Sequence, residues 1–127
     1  MNERILVIDD EEAVRKSFVL ALEDDPIQVD TAETGEAGIA MAGKQQYRMI
    51  FLDLKMPGLN GVETLKELRK IDKDLPVYIV TAFYGEFLEQ LKAAEDDDLN
   101  FELIRKPIGG DQIRMIVSGV TGGPIAY

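Results

Sequence analysis

Ile5-Leu6-Val7-Ile8-Asp9-Asp10-Glu11-Glu12 decides the fold: four strand-forming apolar residues run straight into four acids. A run that is apolar at successive positions is expected to be a strand covered on both faces, as in a parallel sheet. Two further runs end in the same way. Met49-Ile50-Phe51-Leu52 stops at Asp53, and Leu103-Ile104 leads through Arg105 to Lys106-Pro107. In a parallel sheet all three ends emerge on one edge. Carboxylates gathered there repel by roughly 4 kcal/mol per pair at an effective dielectric near 20. Such a cluster requires a cation, either a hard divalent metal such as Mg²⁺, which takes oxygen ligands, or the ammonium of Lys106. Both together make a site suited to phosphoryl chemistry.

The whole chain bounds this reading. Its 127 residues suffice for one domain with a real core, and 46% hydrophobic with 30% charged residues is the composition of an ordinary soluble globule. No apolar run approaches the roughly 20 residues that span a bilayer, and Met1-Asn2-Glu3-Arg4 has no signal-peptide layout. There is no cysteine, which fits a reducing cytoplasm, and no histidine, which excludes a phosphohistidine, a histidine base or histidine-ligated zinc. A net charge of −10 argues against direct nucleic-acid binding, which needs a basic face. The densest basic stretch, Lys66 to Lys70, reads as the solvated face of a helix.

Strand and helix signals alternate five times. Strands are expected at 4–8, 27–32, 47–52, 77–81 and 101–104. Helices are expected at 11–22, from an N-cap at Thr34 through Ala42 with Gly43 ending it, after Gly61 along Val62, Leu65, Leu68 and Ile71, around 87–94, and a short last one capped by Asp111. Asp96-Asp97-Asp98 reads as a solvated turn. The alternation predicts an α/β, doubly wound (βα)5 sandwich with helices on both faces of a five-stranded parallel sheet. Ligands of such sheets bind beyond the carboxyl ends of the strands, where strand order reverses. Asp9, Asp10, Asp53, Thr81 and Lys106 all fall on that edge.

Four motifs in this order, Ile-Leu-Val-Ile-Asp9-Asp10, Phe-Leu-Asp53-Leu-Lys-Met-Pro57-Gly58, Ile-Val-Thr81-Ala82 and Ile-Arg-Lys106-Pro107, resemble the receiver (CheY-like) domain of two-component response regulators. The resemblance runs from about Arg4 to Val117. It implies the strand order 2-1-3-4-5. It also implies that Asp53 accepts a phosphoryl group, that Asp9 and Asp10 hold Mg²⁺ with Asp53 and the backbone carbonyl of Lys55, and that Lys106 and Thr81 contact the phosphoryl oxygens. Pro107 would follow a cis bond, Ala82 would keep the site accessible, and Glu11 and Glu12 would be ordinary first-turn acids.

The implied role is a signalling switch rather than an enzyme, one that catalyses only its own phosphorylation and dephosphorylation. The donor would be a sensor histidine kinase or a histidine-phosphotransfer protein. The reader would be a downstream protein or a fused output domain, with a phosphorylation-dependent homodimer as a further partner. No membrane contact is implied, and the location would be cytoplasmic. The alternative is a receiver-like binding module that works without phosphorylation. A dehalogenase-type phosphatase would want an acid where Lys55 stands, and a flavodoxin would want a glycine- and hydroxyl-rich loop where Asp9 to Glu12 stand.

The chain departs from the family at Leu103, where the family carries Tyr or Phe as a switch ring. Either Phe83, Tyr84 or Phe101 takes over this role, or the chain works without an aromatic switch. Lys55 and Phe83, each two residues beyond a site residue, would border the phosphoryl group and screen it from water. Residues 1–118 are expected to form the receiver and 119–127, rich in glycine, a tail or linker stub.

Overall fold

The computed structural model describes residues 3–122. Within them the elements are β1 (Glu3–Ile8), α1 (Glu12–Ala21), β2 (Ile27–Ala32), α2 (Gly35–Lys44), β3 (Met49–Leu52), α3 (Gly61–Ile71), β4 (Val77–Thr81), a 3₁₀ turn (Tyr84–Phe87) running into α4 (Leu88–Asp96), β5 (Glu102–Arg105) and α5 (Gly110–Thr121). The strands form one parallel sheet in the order β2-β1-β3-β4-β5. This is the doubly wound order that the family resemblance implies.

Side chains of a strand alternate between its faces, and here both faces are covered. Leu6 and Ile8 join Ile50, Leu52 and Ile79 in a core closed by Leu65, Leu68, Leu91 and Ala94 of α3 and α4. Ile5 and Val7 join Met49, Phe51 and Val80 in a second core closed by Phe18, Leu22, Ile113 and Val117 on the α1 and α5 side. The rings of Phe18 and Phe51 meet at 4.7 Å between centroids. Each such fully buried side chain contributes about 1.5–3 kcal/mol by leaving water. The unbroken apolar runs of β1 and β3 follow from this double burial.

Register places the strand ends. Ile8 pairs with Leu52, so the next residues, Asp9 and Asp53, leave the sheet side by side. Thr81 pairs with Arg105, which brings Lys106 alongside. Backbone bonds extend the ladder past the strands: Asp53 N–H to Ile8 O at 2.9 Å, Asp9 N–H to Ala32 O at 3.1 Å and Lys106 N–H to Thr81 O at 3.0 Å. The chain winds outward in opposite directions from β1 and β3, so their ends form the switch point of the sheet.

Several boundaries differ from the sequence expectation. Gly43 does not end α2, which continues to Lys44 with Gln45 as its C-cap. β3 begins at Met49, two residues late; Arg48 N–H still donates to Arg4 O, while the Tyr47 hydroxyl is drawn to Asp30. β5 lies one residue further along, at Glu102–Arg105. Gly109, not Asp111, is the N-cap of α5, and Asp111 sits in the first turn paired with Arg114. This helix also passes Val117 and reaches Thr121, because Val120 extends its apolar stripe onto the second core while Gly119 faces outward. Gly122, with φ 72°, ends it in the left-handed cap that glycine favours. Residues 123–127 of the expected tail lie outside the described residues.

Candidate functional site

The β3–α3 connection carries Asp53 and is held close by the helix that follows. Asn60 and Glu63 form a reciprocal capping box at the start of α3. Gly61 lies so near the strand end that a Cβ there would stand 2.3 Å from Asp53 O. Only glycine fits this approach. The β1–α1 connection is shorter, Asp9 to Glu11, and Asp9 folds back on it: Oδ1 accepts the Glu11 N–H at 2.9 Å. α1 begins without a side-chain cap from Glu11 itself.

At the centre lies Asp53, 2% exposed. Its Oδ1 accepts the N–H of Leu54 at 2.9 Å. Its Oδ2 lies 3.7 Å from Lys106 Nζ. Burial, then the charge of Asp9, push its carboxyl up to about 6, against the opposing pull of Lys106, the Leu54 N–H and the Thr81 hydroxyl. Lys106 is the hub: Nζ is 2.8 Å from Asp9 Oδ2 and 3.6 Å from Glu11 Oε1 as well. Burial lowers the proton affinity of this ammonium, but the bond to Asp9 and the charges of Asp53, Asp9 and Glu11 outweigh it, and its affinity for the proton is raised. The Lys106–Pro107 peptide is cis.

Asp9, Asp10, Glu11 and Asp53 each offer a carboxylate oxygen within 4.8 Å of the others. Asp9 and Asp53 are buried, whereas Asp10 and Glu11 are exposed. Thr81 is fully buried, and its hydroxyl accepts the Phe83 N–H at 3.0 Å. A shallow pocket of about 270 Å³ lined by Thr81, Ala82, Tyr84, Gly85, Arg105 and Lys106 opens beside it. Lys55 turns its side chain outward, 3.4 Å from Glu86 and 4.4 Å above the ring of Phe83. Leu103 is half-buried with Tyr84 and Phe101 against the α3–α4 core, and Arg105 stacks over Tyr84 at 4.8 Å.

Asp9, Asp10, Asp53, Thr81 and Lys106 therefore converge, Leu103 lies apart against the α3–α4 core, and two other residues join the site. Glu11 is not a first-turn acid: it is the N-cap residue and faces Lys106, while Glu12 alone occupies the first turn and pairs with Lys16. Arg15 reaches back from α1 to donate to Asp9 O at 2.8 Å. Its position one helical turn after Glu11 was the only hint in the sequence, and it does not predict a bond to a backbone carbonyl.

Residues 5–118 match the family described as response regulator receiver domain. The chain is 32% identical over 114 residues to sporulation initiation phosphotransferase F of Bacillus subtilis (strain 168), covering 90% of each protein. Among solved structures it resembles the response regulator TrrA of Thermotoga maritima in complex with Mg²⁺ and BeF, with TM-score 0.76, 31% identity, and 93% and 98% of the two chains covered. It also resembles a CheY-like receiver domain protein of Methanospirillum hungatei JF-1, with TM-score 0.83, 24% identity and 96% of both chains. Other curated relatives are longer, and the chain spans only 34% of one and 44% of another. Among the described residues no helix is long and apolar enough to cross a membrane.

Proposed function

The chain belongs to the response regulator receiver domain family, the phospho-accepting switches of two-component systems, and on that premise we propose that Asp53 is the acceptor. Its carboxylate attacks the phosphorus of a phosphohistidine on a sensor kinase or phosphotransfer protein. A P–O bond forms, the P–N bond breaks, and the imidazole leaves with a proton. With its carboxyl near 6, Asp53 is ionised at neutral pH and more basic than an exposed aspartate. One observation supports this above the others: a single half-buried ammonium, Lys106, spans Asp9 and Asp53 at the switch point of the sheet.

The residues fit a hard divalent cation. Four carboxylates within 4.8 Å offer oxygen donors alone. Asp9, Asp10, Asp53 and the carbonyl of Lys55 would hold Mg²⁺, which when bound neutralises charge on the incoming phosphoryl oxygens. Lys106 and the Thr81 hydroxyl take the phosphoryl charge that arrives at Asp53. Thr81 then exchanges its present contacts for a phosphoryl oxygen and draws its loop inward, a population shift biased by local charge. A protein partner, or a further domain in a longer chain, reads the altered surface from a cytoplasmic setting.

The test is intact mass after incubation with acetyl phosphate, with and without Mg²⁺, for the wild-type protein and Asp53→Asn. One added phosphoryl group that requires both Mg²⁺ and Asp53 is expected. No addition under any condition would replace this reading with a phosphorylation-independent binding module.

A further inference from the structure

Every polar atom of Asp9 is engaged, and one of its partners has no place in the acceptor chemistry. The N–H goes to Ala32 O, Oδ1 to the Glu11 N–H, and Oδ2 to Lys106. The carbonyl, just past the end of β1, is taken by the guanidinium of Arg15 at 2.8 Å. That side chain is 17% exposed, covered far more than an ordinary surface arginine, and its other nitrogen lies 3.9 Å from Glu33 Oε2. Glu33 is 74% exposed, so this outer pair contributes little. The inner bond does more, because it ties the last carbonyl of the strand line to the helix that follows. Arg15 N–H also closes the first turn of α1 onto Glu11 O. The three acids Asp9, Asp10 and Glu11 are thus clamped between a strand end and Arg15.

From this we infer that Arg15 is a positioning residue for the divalent-cation site: it sets the β1–α1 turn so that the carboxylates of Asp9 and Asp10 converge with Asp53. The inference rests on the metal reading above but concerns a residue that touches neither metal nor phosphoryl group. Two effects of removing Arg15 have opposite signs. Losing a cation near four carboxylates should tighten Mg²⁺ binding. Losing the clamp frees the turn and should weaken it, since partners that orient metal ligands are typically worth about 10–100-fold in affinity. The direction of change separates positioning from charge.

The experiment is calorimetric titration of the full chain with MgCl₂ alone, without phosphodonor, for the wild-type protein, Arg15→Gln and Lys16→Gln. Lys16 is the matched charge control, one residue along α1 and paired outward with Glu12. Arg15→Gln is expected to bind Mg²⁺ about tenfold more weakly, near the lower end for such partners, while Lys16→Gln binds as the wild type or slightly tighter. The amide resonance of Glu11, whose N–H rests on Asp9, should also move in Arg15→Gln and not in Lys16→Gln. Unchanged or tighter binding by Arg15→Gln overturns the inference. Should that variant fail to fold, Arg15→Lys takes its place, keeping the charge without the planar fork: weaker binding supports the clamp, and wild-type affinity overturns it. If the wild-type protein itself shows no saturable Mg²⁺ binding, the metal reading falls and takes this inference with it.

Discussion

Asp53 is a group that folding makes harder to ionise. Burial and Asp9 raise its carboxyl from 3.8 to about 6, so between those values the folded state keeps a proton that the unfolded chain has released. Stability of the metal-free protein therefore falls as pH rises from about 4 to about 6, and stays lowered above. Two pKa units correspond to roughly 3 kcal/mol. Asp53→Asn in the presence of chelator is expected to raise stability at pH 7.5 by on the order of 1–3 kcal/mol, and to leave it nearly unchanged at pH 4, as read from urea midpoints. Equal midpoints at pH 7.5 would mean that the buried carboxylate is relaxed. At the opposite end of the sheet Asp30 is satisfied, accepting from the Tyr47 hydroxyl at 2.7 Å and from Arg4 at 3.2 Å. Burial, then the bond to Asp30, hold the Tyr47 hydroxyl protonated well beyond its ordinary range. Tyr47→Phe should cost about 1 kcal/mol, and Asp30→Ala more, because it strands both donors.

Between elements, the two connections that frame the site are tied to each other. Lys55 on the β3–α3 connection meets Glu86 and the Phe83 ring on the β4–α4 side, and Asn60 reaches Gln90 of α4 at 3.3 Å. Exposed pairs of this kind add little stability, but they join the loop after Asp53 to the loop after Thr81. Phe83→Ala is expected to speed decay of the phosphorylated protein with little change in its formation, followed by intact mass after removal of the donor. An unchanged decay rate would sink the idea of a water screen. Of the three candidate switch rings, Tyr84 is the best placed, since it lines the pocket of Thr81 and Lys106 and also packs with Leu103. Tyr84→Ala should therefore reduce the phosphorylation-induced change in amide spectra more than Phe101→Ala does. The α3 entry is less forgiving. Gly61→Ala would place a methyl against the Asp53 carbonyl, and overpacking against backbone costs typically 1–3 kcal/mol, measurable as a lower urea midpoint.

For the molecule as a whole, what could be read in advance followed from two periodicities and one edge rule. Uninterrupted runs such as Ile5 to Ile8 announced doubly covered strands, and acids or Lys106 closing them announced a shared edge, so the fold and the central residues were accessible from the sequence. What stayed hidden depended on contacts between distant segments: Glu11 turning to Lys106, Arg15 gripping a backbone carbonyl, and α5 continuing past Gly119 because Val120 finds the second core. The same long-range logic governs the response to metal. The net charge of −10 repels itself across the whole surface, so any salt will steady the protein slightly by screening. A cation held between Asp9, Asp10 and Asp53 acts differently, because it binds the folded state alone: at a hundred times its dissociation constant it adds about 2.7 kcal/mol. Mg²⁺ should therefore raise the melting temperature well above that in NaCl of equal ionic strength. In a variant lacking the pair, Asp9→Asn with Asp10→Asn, the two salts should give the same curve. A Mg²⁺ effect that survives in this variant would assign the stabilisation to general screening and remove the acidic pair from the metal site.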